Sequence, residues 1–230
     1  MVYAVGDIHG CLLKLKELTD ELERVMQPQD TLLFLGDYID RGPDSKGVID
    51  HILDLKTRVP SVVTLRGNHE QMMLDAYDYF NPEEGYPRIS NELGMLWFQN
   101  NAHTTLASFA QSGSWWERIP EAYWTFVENT EMEYTVGGYY FVHAGVLPRG
   151  IVWREKQLDP RLWIRDEFLH SSQDFGHVVV FGHTPLKEPV LLSNKIGIDT
   201  GAVFGGPLTA IALDIDRPYR PQTIRIFQAF

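Results

Sequence analysis

The segment TLLFLGDYIDRGPDS, residues 31–45, places two carboxylates and a guanidinium directly after a short apolar run. Asp37 follows Gly36, and Asp40 and Arg41 lie three and four positions after Asp37. Four other apolar runs end in the same way, with Gly beside Asp, Asn or His. Their motifs are GDIHG at 6–10, RGNHE at 66–70, HAG at 143–145 and GHT at 182–184. A single Asp or His of this kind is usually a turn or packing residue, so the repetition is what indicates a functional site.

These residue types suit a pair of metal ions. Asp, Asn and His without a thiolate favour hard or borderline divalent cations such as Mn, Fe or Zn. In an open α/β sheet the carboxyl ends of the strands face one crevice, and Gly lets the backbone come close to a ligand there. Two such ions a few ångströms apart form the usual clamp for in-line displacement at phosphorus. Asp37 is the natural bridging carboxylate, which requires it to lie close to Asp7 and His9.

The elements that must position these motifs alternate between strand and helix. Apolar residues at steps of three and four predict amphipathic helices over 12–26 and around 48–55. The predicted strands lie at 2–5, 32–35, 62–65, 139–142, 178–181, 196–198, 208–215 and 223–227. The early strand–helix–strand order predicts crossover units and a sheet whose first strands are parallel, in an α/β fold.

Residues 72–133 break this alternation. This stretch carries four of the six Trp residues and several helical fragments. We expect a mostly helical insertion that flanks or covers the site, inside a single domain spanning residues 1–230. Trp115 and Trp116 are expected to pack this insertion onto the core, with a stacking platform for a substrate as the alternative.

Composition limits the class of protein. The chain has 230 residues and a net charge of -11, and without clustered Lys and Arg it is not expected to bind a nucleic acid polymer. Cys11 is the single cysteine, so no intramolecular disulfide can form, which is typical of a reducing compartment. The N-terminal sequence lacks the pattern of a targeting segment, and no apolar run is long enough to cross a membrane. We therefore expect a cytoplasmic protein that does not associate with membranes.

Taken in order, GDIHG, GDYIDRG, RGNHE, HAG and FGHT resemble the motifs of the phosphoprotein phosphatase family of calcineurin-like metallophosphoesterases. The segments at 66–73 and 181–211 are similar to bacterial and bacteriophage-type serine/threonine protein phosphatases. The resemblance covers nearly the whole chain and is weakest between about residues 77 and 135. It implies a four-layer α/β fold, in which a β-sandwich is flanked by helices.

The resemblance also implies a set of metal ligands. One ion would be held by Asp7, His9 and the bridging Asp37. The second would be held by Asp37 together with Asn68, His143 and His183. The expected metal is Mn²⁺, with Fe or Zn as alternatives.

The remaining motif residues would act on the substrate. His69 corresponds to the general acid of the family, and Asp40 would orient it and favour its imidazolium form. Arg41 and Arg165 would grip the phosphoryl oxygens, together with Asn68. Arg165 rests on the weaker match LWIRDEF at 162–168, and Arg66 has no assigned role.

The implied activity is hydrolysis of phosphoserine and phosphothreonine in proteins, and of small aryl phosphates. A hydroxide between the two metals would attack phosphorus directly, without a covalent phosphoenzyme. The expected partners are a phosphoprotein or a small phosphoester, and the expected oligomeric state is a monomer. One alternative is a symmetrical bis(5'-nucleosyl)-tetraphosphatase, which would cleave diadenosine tetraphosphate. The other is a metal-free scaffold or binding protein with the same fold.

Overall fold

The computed structural model describes residues 1–80, 90–109, 113–217, 220 and 224–230. In chain order the elements are β1 (Val2–Val5), α1 (Leu12–Glu23), β2 (Thr31–Phe34), α2 (Ser45–Arg58), β3 (Val62–Thr64), α3 (Asn68–Phe80), α4 (Asn91–Gln99), α5 (Ala102–Phe109), α6 (Glu121–Glu128), β4 (Glu133–Val136), β5 (Tyr139–Val142), α7 (Pro160–Trp163), α8 (Asp166–Leu169), β6 (Val178–Phe181), β7 (Val190–Leu191), β8 (Lys195–Gly197), a 3₁₀ turn (Ala202–Phe204), β9 (Leu208–Leu213) and β10 (Arg225–Ala229).

The strands form two five-stranded mixed sheets. The first has the order β10-β9-β1-β2-β3, and the second has the order β4-β5-β6-β8-β7. In the first sheet β1, β2 and β3 are parallel, as the sequence predicted, while β9 runs antiparallel to β1. In the second sheet β5, β6 and β8 are parallel. The carboxyl ends of the parallel strands within each sheet therefore lie at one edge of that sheet.

Alternating side chains divide the core into layers. Successive residues of a strand point to opposite faces, and in β1 Val2 and Ala4 pack into the core between the two sheets. Tyr3 and Val5 instead pack against the helices that cover the first sheet. Helix α8 covers the outer face of the second sheet, where Phe168 packs with its apolar residues. The result is the predicted four-layer sandwich of helices, sheet, sheet and helices.

The observed elements depart from the sequence predictions mainly at their ends. Helix α1 buries Leu15, Leu18 and Leu22 as predicted, but it ends at Glu23, before residue 26. Strands β4 and β7 were not predicted, because a short strand at a sheet edge lacks a continuous apolar run. The predicted strand at 223–227 appears as β10, and its first position, Thr223, lies outside the described residues.

The described part of residues 72–133 is mostly helical. Trp97 of α4 is fully buried, and its ring centroid lies 5.3 Å from that of Trp115. Trp115 also contacts Trp116, with 5.6 Å between the ring centroids. Its side chain is partly buried and packs against the apolar core that the first sheet forms with its helices. This arrangement supports the packing role for Trp115. That residues 1–230 form one domain with this insertion stays a prediction.

Within the described ranges, none of the helices combines the length and the apolar character needed to cross a lipid bilayer.

Candidate metal centre

The strand ends of both sheets converge on one buried group of side chains. His143 follows β5, and its Nδ1 donates a hydrogen bond to the carbonyl oxygen of Leu35, after β2 in the other sheet, at 2.9 Å. The backbone N–H of His183, after β6, donates to both carboxylate oxygens of Asp7, after β1, at 3.1 and 3.0 Å. The two sheets are thus joined by polar contacts at the edge where their motifs meet.

Glycines allow this close approach. A Cβ atom at Gly182 would lie 2.1 Å from Asp7 Oδ1, and a Cβ atom at Gly67 would lie 2.1 Å from Asp37 Oδ1. Since real Cβ atoms do not approach an oxygen so closely, either substitution would push a carboxylate out of the site. This explains why Gly adjoins the candidate ligands in the RGNHE and GHT motifs.

One cluster of candidate ligands contains Asp37, His143 and His183, all buried, with ligand atoms within 4.8 Å of one another. Asn68 joins this cluster, because its Oδ1 lies 3.1 Å from His143 Nε2 and 3.0 Å from His183 Nδ1. Burial lowers the pKa of His143, and burial together with the neighbouring His143 and Arg165 lowers the pKa of His183 well below its usual value. These neutral imidazoles can offer a lone pair to a metal. All four residues predicted for the second ion are therefore together.

A second cluster contains His9, Asp37 and His69, again with ligand atoms within 4.8 Å. His9 Nδ1 donates to the Ile39 carbonyl oxygen at 2.8 Å, which leaves Nε2 as the lone-pair nitrogen. Nε2 lies 3.2 Å from Asp37 Oδ2 and accepts a hydrogen bond from the Arg41 guanidinium. Asp37 belongs to both clusters, which is the position that a bridging ligand requires.

Asp7 lies in neither of the two compact clusters found among the described residues, although it is buried beside them. Desolvation and the nearby carboxylates of Asp199 and Asp37 raise its pKa well above the usual value. Asp199, after β8, is also buried, and desolvation raises its pKa. Asp7, Asp37 and Asp199 are three buried carboxylates in one place, with Arg41 and Arg165 as nearby cations, and such a group is expensive to desolvate. Divalent cations would relieve that cost.

Several site residues have unusual backbone conformations. His9, Asp37, Asp40, Arg41 and His183 all have positive φ, between 46° and 68°. This left-handed region is disfavoured for residues with a Cβ, and such residues concentrate at functional sites. The backbone strain therefore coincides with the sequence motifs.

His69 and Asp40 form a buried pair. His69 Nδ1 lies 2.6 Å from Asp40 Oδ2, and His69 Nε2 is buried without a hydrogen-bond partner among the described residues. Desolvation is the largest influence on the His69 pKa and lowers it, whereas the Asp37 and Asp40 carboxylates raise it. The balance is a lowered pKa, so Asp40 favours the imidazolium form, as expected, but does not outweigh burial.

The helical insertion supplies further contacts to Asp40 that sequence reasoning missed. Trp97 Nε1 donates to Asp40 Oδ2 at 2.8 Å, and Thr105 Oγ1 donates to Asp40 Oδ1 at 2.5 Å. The Asp40 backbone N–H donates in turn to Ser45 Oγ and Thr105 Oγ1. The insertion thus fixes the carboxylate that holds His69.

This contact gives a test of the insertion's role. Trp97→Phe removes the N–H donor while keeping an aromatic ring, and we expect kcat to fall about tenfold, since a hydrogen bond to a charged group contributes about 1.5–3 kcal/mol. The matched control is Trp124→Phe, because Trp124 Nε1 donates to the Ile119 carbonyl oxygen, at 3.0 Å. Thermal melting should show a loss of stability in both variants, whereas steady-state kinetics should show a loss of kcat in Trp97→Phe alone. Equal kcat values would contradict the role assigned to Trp97.

Glu70, which closes the RGNHE motif, is another residue that sequence reasoning left without a role. Its carboxylate accepts hydrogen bonds from the backbone N–H groups of Asp37, Tyr38 and Gly67, at 2.9, 2.8 and 2.9 Å. Desolvation raises its pKa to about 8. Glu70 therefore clamps the strained turn after β2 against the start of α3.

The three motif arginines have different positions. Arg165 Nη1 donates to the His183 carbonyl oxygen at 3.0 Å, which brings it to the site, and Arg41 contacts His9. Arg66 instead donates to Thr130 Oγ1 at 3.0 Å and to the Glu128 carbonyl oxygen at 2.9 Å. Arg66 therefore anchors the end of the insertion.

The donor set fits a pair of hard or borderline cations. It combines buried carboxylates, an amide oxygen and neutral imidazoles, and the buried Nε2 atom of His183 has no partner in the described structure. The Nδ1 atoms of His9 and His143 donate hydrogen bonds to backbone carbonyl oxygens, which is the usual way in which metal-binding imidazoles are oriented.

Comparison with known proteins gives a consistent family. The family model for calcineurin-like phosphoesterases matches residues 1–208. A serine/threonine-protein phosphatase 1 of Salmonella typhimurium is 34% identical over 218 residues, which cover 90% of this chain and 89% of that protein. An asymmetrical bis(5'-nucleosyl)-tetraphosphatase PrpE of Anoxybacillus flavithermus is 31% identical over 239 residues, which cover 92% of this chain and 90% of that protein.

Solved structures agree on the fold. A metallophosphoesterase from Sphaerobacter thermophilus aligns over 100% of this chain and 88% of its own, with a TM-score of 0.55 and 14% identity. A protein serine/threonine phosphatase from Saccharomyces cerevisiae covers 99% of this chain and 79% of its own, with a TM-score of 0.54 and 15% identity. At these identities the likeness concerns the fold alone.

Proposed function

The chain belongs to the calcineurin-like phosphoesterase family, and on that premise we propose that it is a metal-dependent phosphomonoesterase acting on phosphoserine and phosphothreonine in proteins, and on small aryl phosphates. The observation that carries the proposal is the position of Asp37 between two groups of imidazoles, beside the buried His69–Asp40 pair. Such an arrangement would combine a dinuclear metal site with a proton donor, the two parts that hydrolysis of a phosphomonoester needs.

The site residues would divide between two ions. Asp7, His9 and Asp37 would hold one, and Asp37, Asn68, His143 and His183 would hold the other. Bound there, divalent cations would polarise the phosphoryl group and activate water as the nucleophile. The choice of Mn²⁺ over Fe or Zn stays a prediction.

Arg41 and Arg165 would bind the phosphoryl oxygens, with the Asn68 amide beside them. Guanidinium groups suit this because their forked N–H donors match the oxygens of a phosphate. The backbone contact between Arg165 and His183 holds one guanidinium at the rim of the site. Arg41 contacts His9 Nε2, the same nitrogen that would bind a metal. A metal ion at that nitrogen would take the place of this hydrogen bond, and the Arg41 guanidinium would then have a donor available for a phosphoryl oxygen.

His69 would protonate the leaving oxygen. Asp40 holds Nδ1, so in the imidazolium form the proton to be transferred lies on Nε2, the buried atom that has no hydrogen-bond partner among the described residues. The hydrogen bonds from Trp97 and Thr105 keep Asp40 in position for this task.

A second candidate is hydrolysis of a dinucleoside tetraphosphate. It is favoured by the PrpE relatives, which match this chain nearly as well as the protein phosphatase does. Their names specify the asymmetrical reaction, whereas the sequence motifs suggested the symmetrical one, so the products should be identified. A metal-free scaffold is the remaining alternative, although every expected ligand type is present at the site.

The test compares a phosphothreonine peptide with diadenosine tetraphosphate on the same protein preparation. We expect a higher kcat/KM on the peptide, loss of turnover in EDTA and recovery on addition of Mn²⁺. A large preference for the dinucleotide would replace the proposed substrate, and the nucleotides released would tell symmetrical from asymmetrical cleavage. Absence of turnover in both EDTA and Mn²⁺ would favour the scaffold.

A further inference from the structure

An exposed phenylalanine lies beside the candidate phosphate-binding arginine. Phe204 ends the 3₁₀ turn after β8 and is 65% exposed. The guanidinium carbon of Arg41 lies 5.7 Å from the centroid of the Phe204 ring, within the range of a cation–π contact. An aromatic ring therefore adjoins the place where the phosphoryl group is proposed to bind.

The loop that carries Phe204 is tied down. The backbone N–H groups of Phe204 and Gly206 both donate to the Gly201 carbonyl oxygen, at 2.8 and 3.0 Å. Lys14 of α1 donates from Nζ to the carbonyl oxygens of Ala202 and Gly206, at 3.1 and 2.6 Å. Gly201 has φ 69°, a conformation that favours glycine. The backbone of the loop that carries the ring is therefore held in place by hydrogen bonds.

The base of the loop belongs to the site itself. The backbone N–H of Gly201 donates to Asp199 Oδ1 at 2.9 Å, and Asp199 is buried close enough to Asp7 to raise its pKa. Isolated exposed apolar residues are common on protein surfaces, so exposure alone has no meaning here. An aromatic ring next to Arg41 on a loop whose backbone is held by hydrogen bonds does have meaning, because ordering that backbone on ligand binding would cost little conformational entropy.

We propose that Phe204 is a specificity-determining residue that stacks on an aromatic ring carried by the leaving group of the substrate. This inference rests on the proposed function, since it places the leaving group next to a phosphate held by Arg41. Stacking on an aromatic side chain tolerates any planar ring, so an aryl phosphate, an aromatic side chain beside a phosphorylated residue and a nucleobase share the recognised chemistry.

The experiment measures KM for phenyl phosphate and the inhibition constant of inorganic phosphate in the same assay. Phe204→Ala should raise KM about tenfold, the scale of one lost stacking contact, and should change the inhibition constant less than about twofold, because inorganic phosphate has no group that reaches the ring. Phe204→Trp should keep both constants near those of the unaltered protein. The control is Leu192→Ala, which also removes an exposed apolar side chain, since Leu192 is 47% exposed. Leu192 precedes β8 whereas Asp199 follows it, so the two residues lie at different ends of that strand.

Equal changes in both constants would overturn the proposal, because Phe204 would then act only by positioning Arg41. No change in either constant would overturn it as well. Three further substrates show which molecule carries the ring: a phosphothreonine peptide with Trp next to the phosphorylated residue, the same peptide with Ala in place of Trp, and diadenosine tetraphosphate. A higher KM of Phe204→Ala on the Trp peptide or on the dinucleotide supports the contact. Failure of the proposed function is seen separately, as an unaltered protein that hydrolyses no phosphomonoester.

Discussion

Replacing Asp37 with Asn is expected to release both metal ions together and to lower kcat/KM for a phosphopeptide by about a thousandfold, since metal ions contribute several kcal/mol to such reactions. The physical reason is the position of the carboxylate. Oδ2 lies 3.2 Å from His9 Nε2 and Oδ1 lies 3.4 Å from His143 Nε2, so each oxygen faces a different group of candidate ligands. Asn has the same shape but lacks the negative charge and one of the two oxygens. Metal content by mass spectrometry and steady-state kinetics measure the outcome.

A matched control lies at the other end of the same strand. Asp30 is buried before β2, where Oδ1 binds the N-terminal ammonium at 2.8 Å. Asp30→Asn should keep both metal ions and turnover while losing some stability. If Asp37→Asn retained a full pair of ions, or lost only one, Asp37 would not be the bridge.

Replacing His69 with Asn is expected to lower turnover by at least about a hundredfold while both metal ions stay bound, the usual scale for loss of a general acid. The backbone N–H of residue 69, which donates to Asp37 Oδ1 at 3.1 Å, is kept in this variant. The loss should be larger for alkyl phosphates than for 4-nitrophenyl phosphate, because a good leaving group needs less protonation. Turnover on the two substrates and metal content give the result.

This experiment also separates two roles that distance alone leaves open, since His69 lies in the same cluster as His9 and Asp37. Loss of a metal ion in His69→Asn would make His69 a ligand. An equal loss of turnover on both kinds of substrate would also contradict the acid role. His103→Asn, at an exposed position on α5, should change neither quantity.

The strands and their ends were predictable because they depend on local patterns. Apolar runs such as 2–5 and 178–181 are short and rich in β-branched or aromatic residues, which favours a buried strand over a helix, and parallel strands bring their carboxyl ends to one edge. For this reason Asp7, Asp37 and Asn68 lie together at the edge of the first sheet, and His143 and His183 at the edge of the second. Asp199 could have been found in the same way, because IGIDTG repeats the pattern of an apolar run followed by Asp and Gly.

The contacts around Asp40 could not be predicted, because they join residues far apart in sequence. Trp97 is separated from Asp40 by 57 positions, and Thr105 by 65. Both lie in helices whose register against the turn after β2 depends on packing of the insertion. The role of Glu70 could not be predicted for another reason: its partners are backbone N–H groups, which no sequence pattern specifies.

The pKa of His69 shows why residue type alone was insufficient. A carboxylate beside an imidazole suggests a raised pKa, but the ring is fully buried, and desolvation has the larger effect. Burial could be known only from the structure.

The most direct test of the central claim is a crystal structure determined in Mn²⁺ and phosphate, with anomalous scattering used to locate manganese. The account predicts two manganese peaks about 3.5–4 Å apart, with Asp37 contacting both. Asp7 and His9 would complete one site, and Asn68, His143 and His183 the other. A single peak, or two peaks that do not share Asp37, would contradict it.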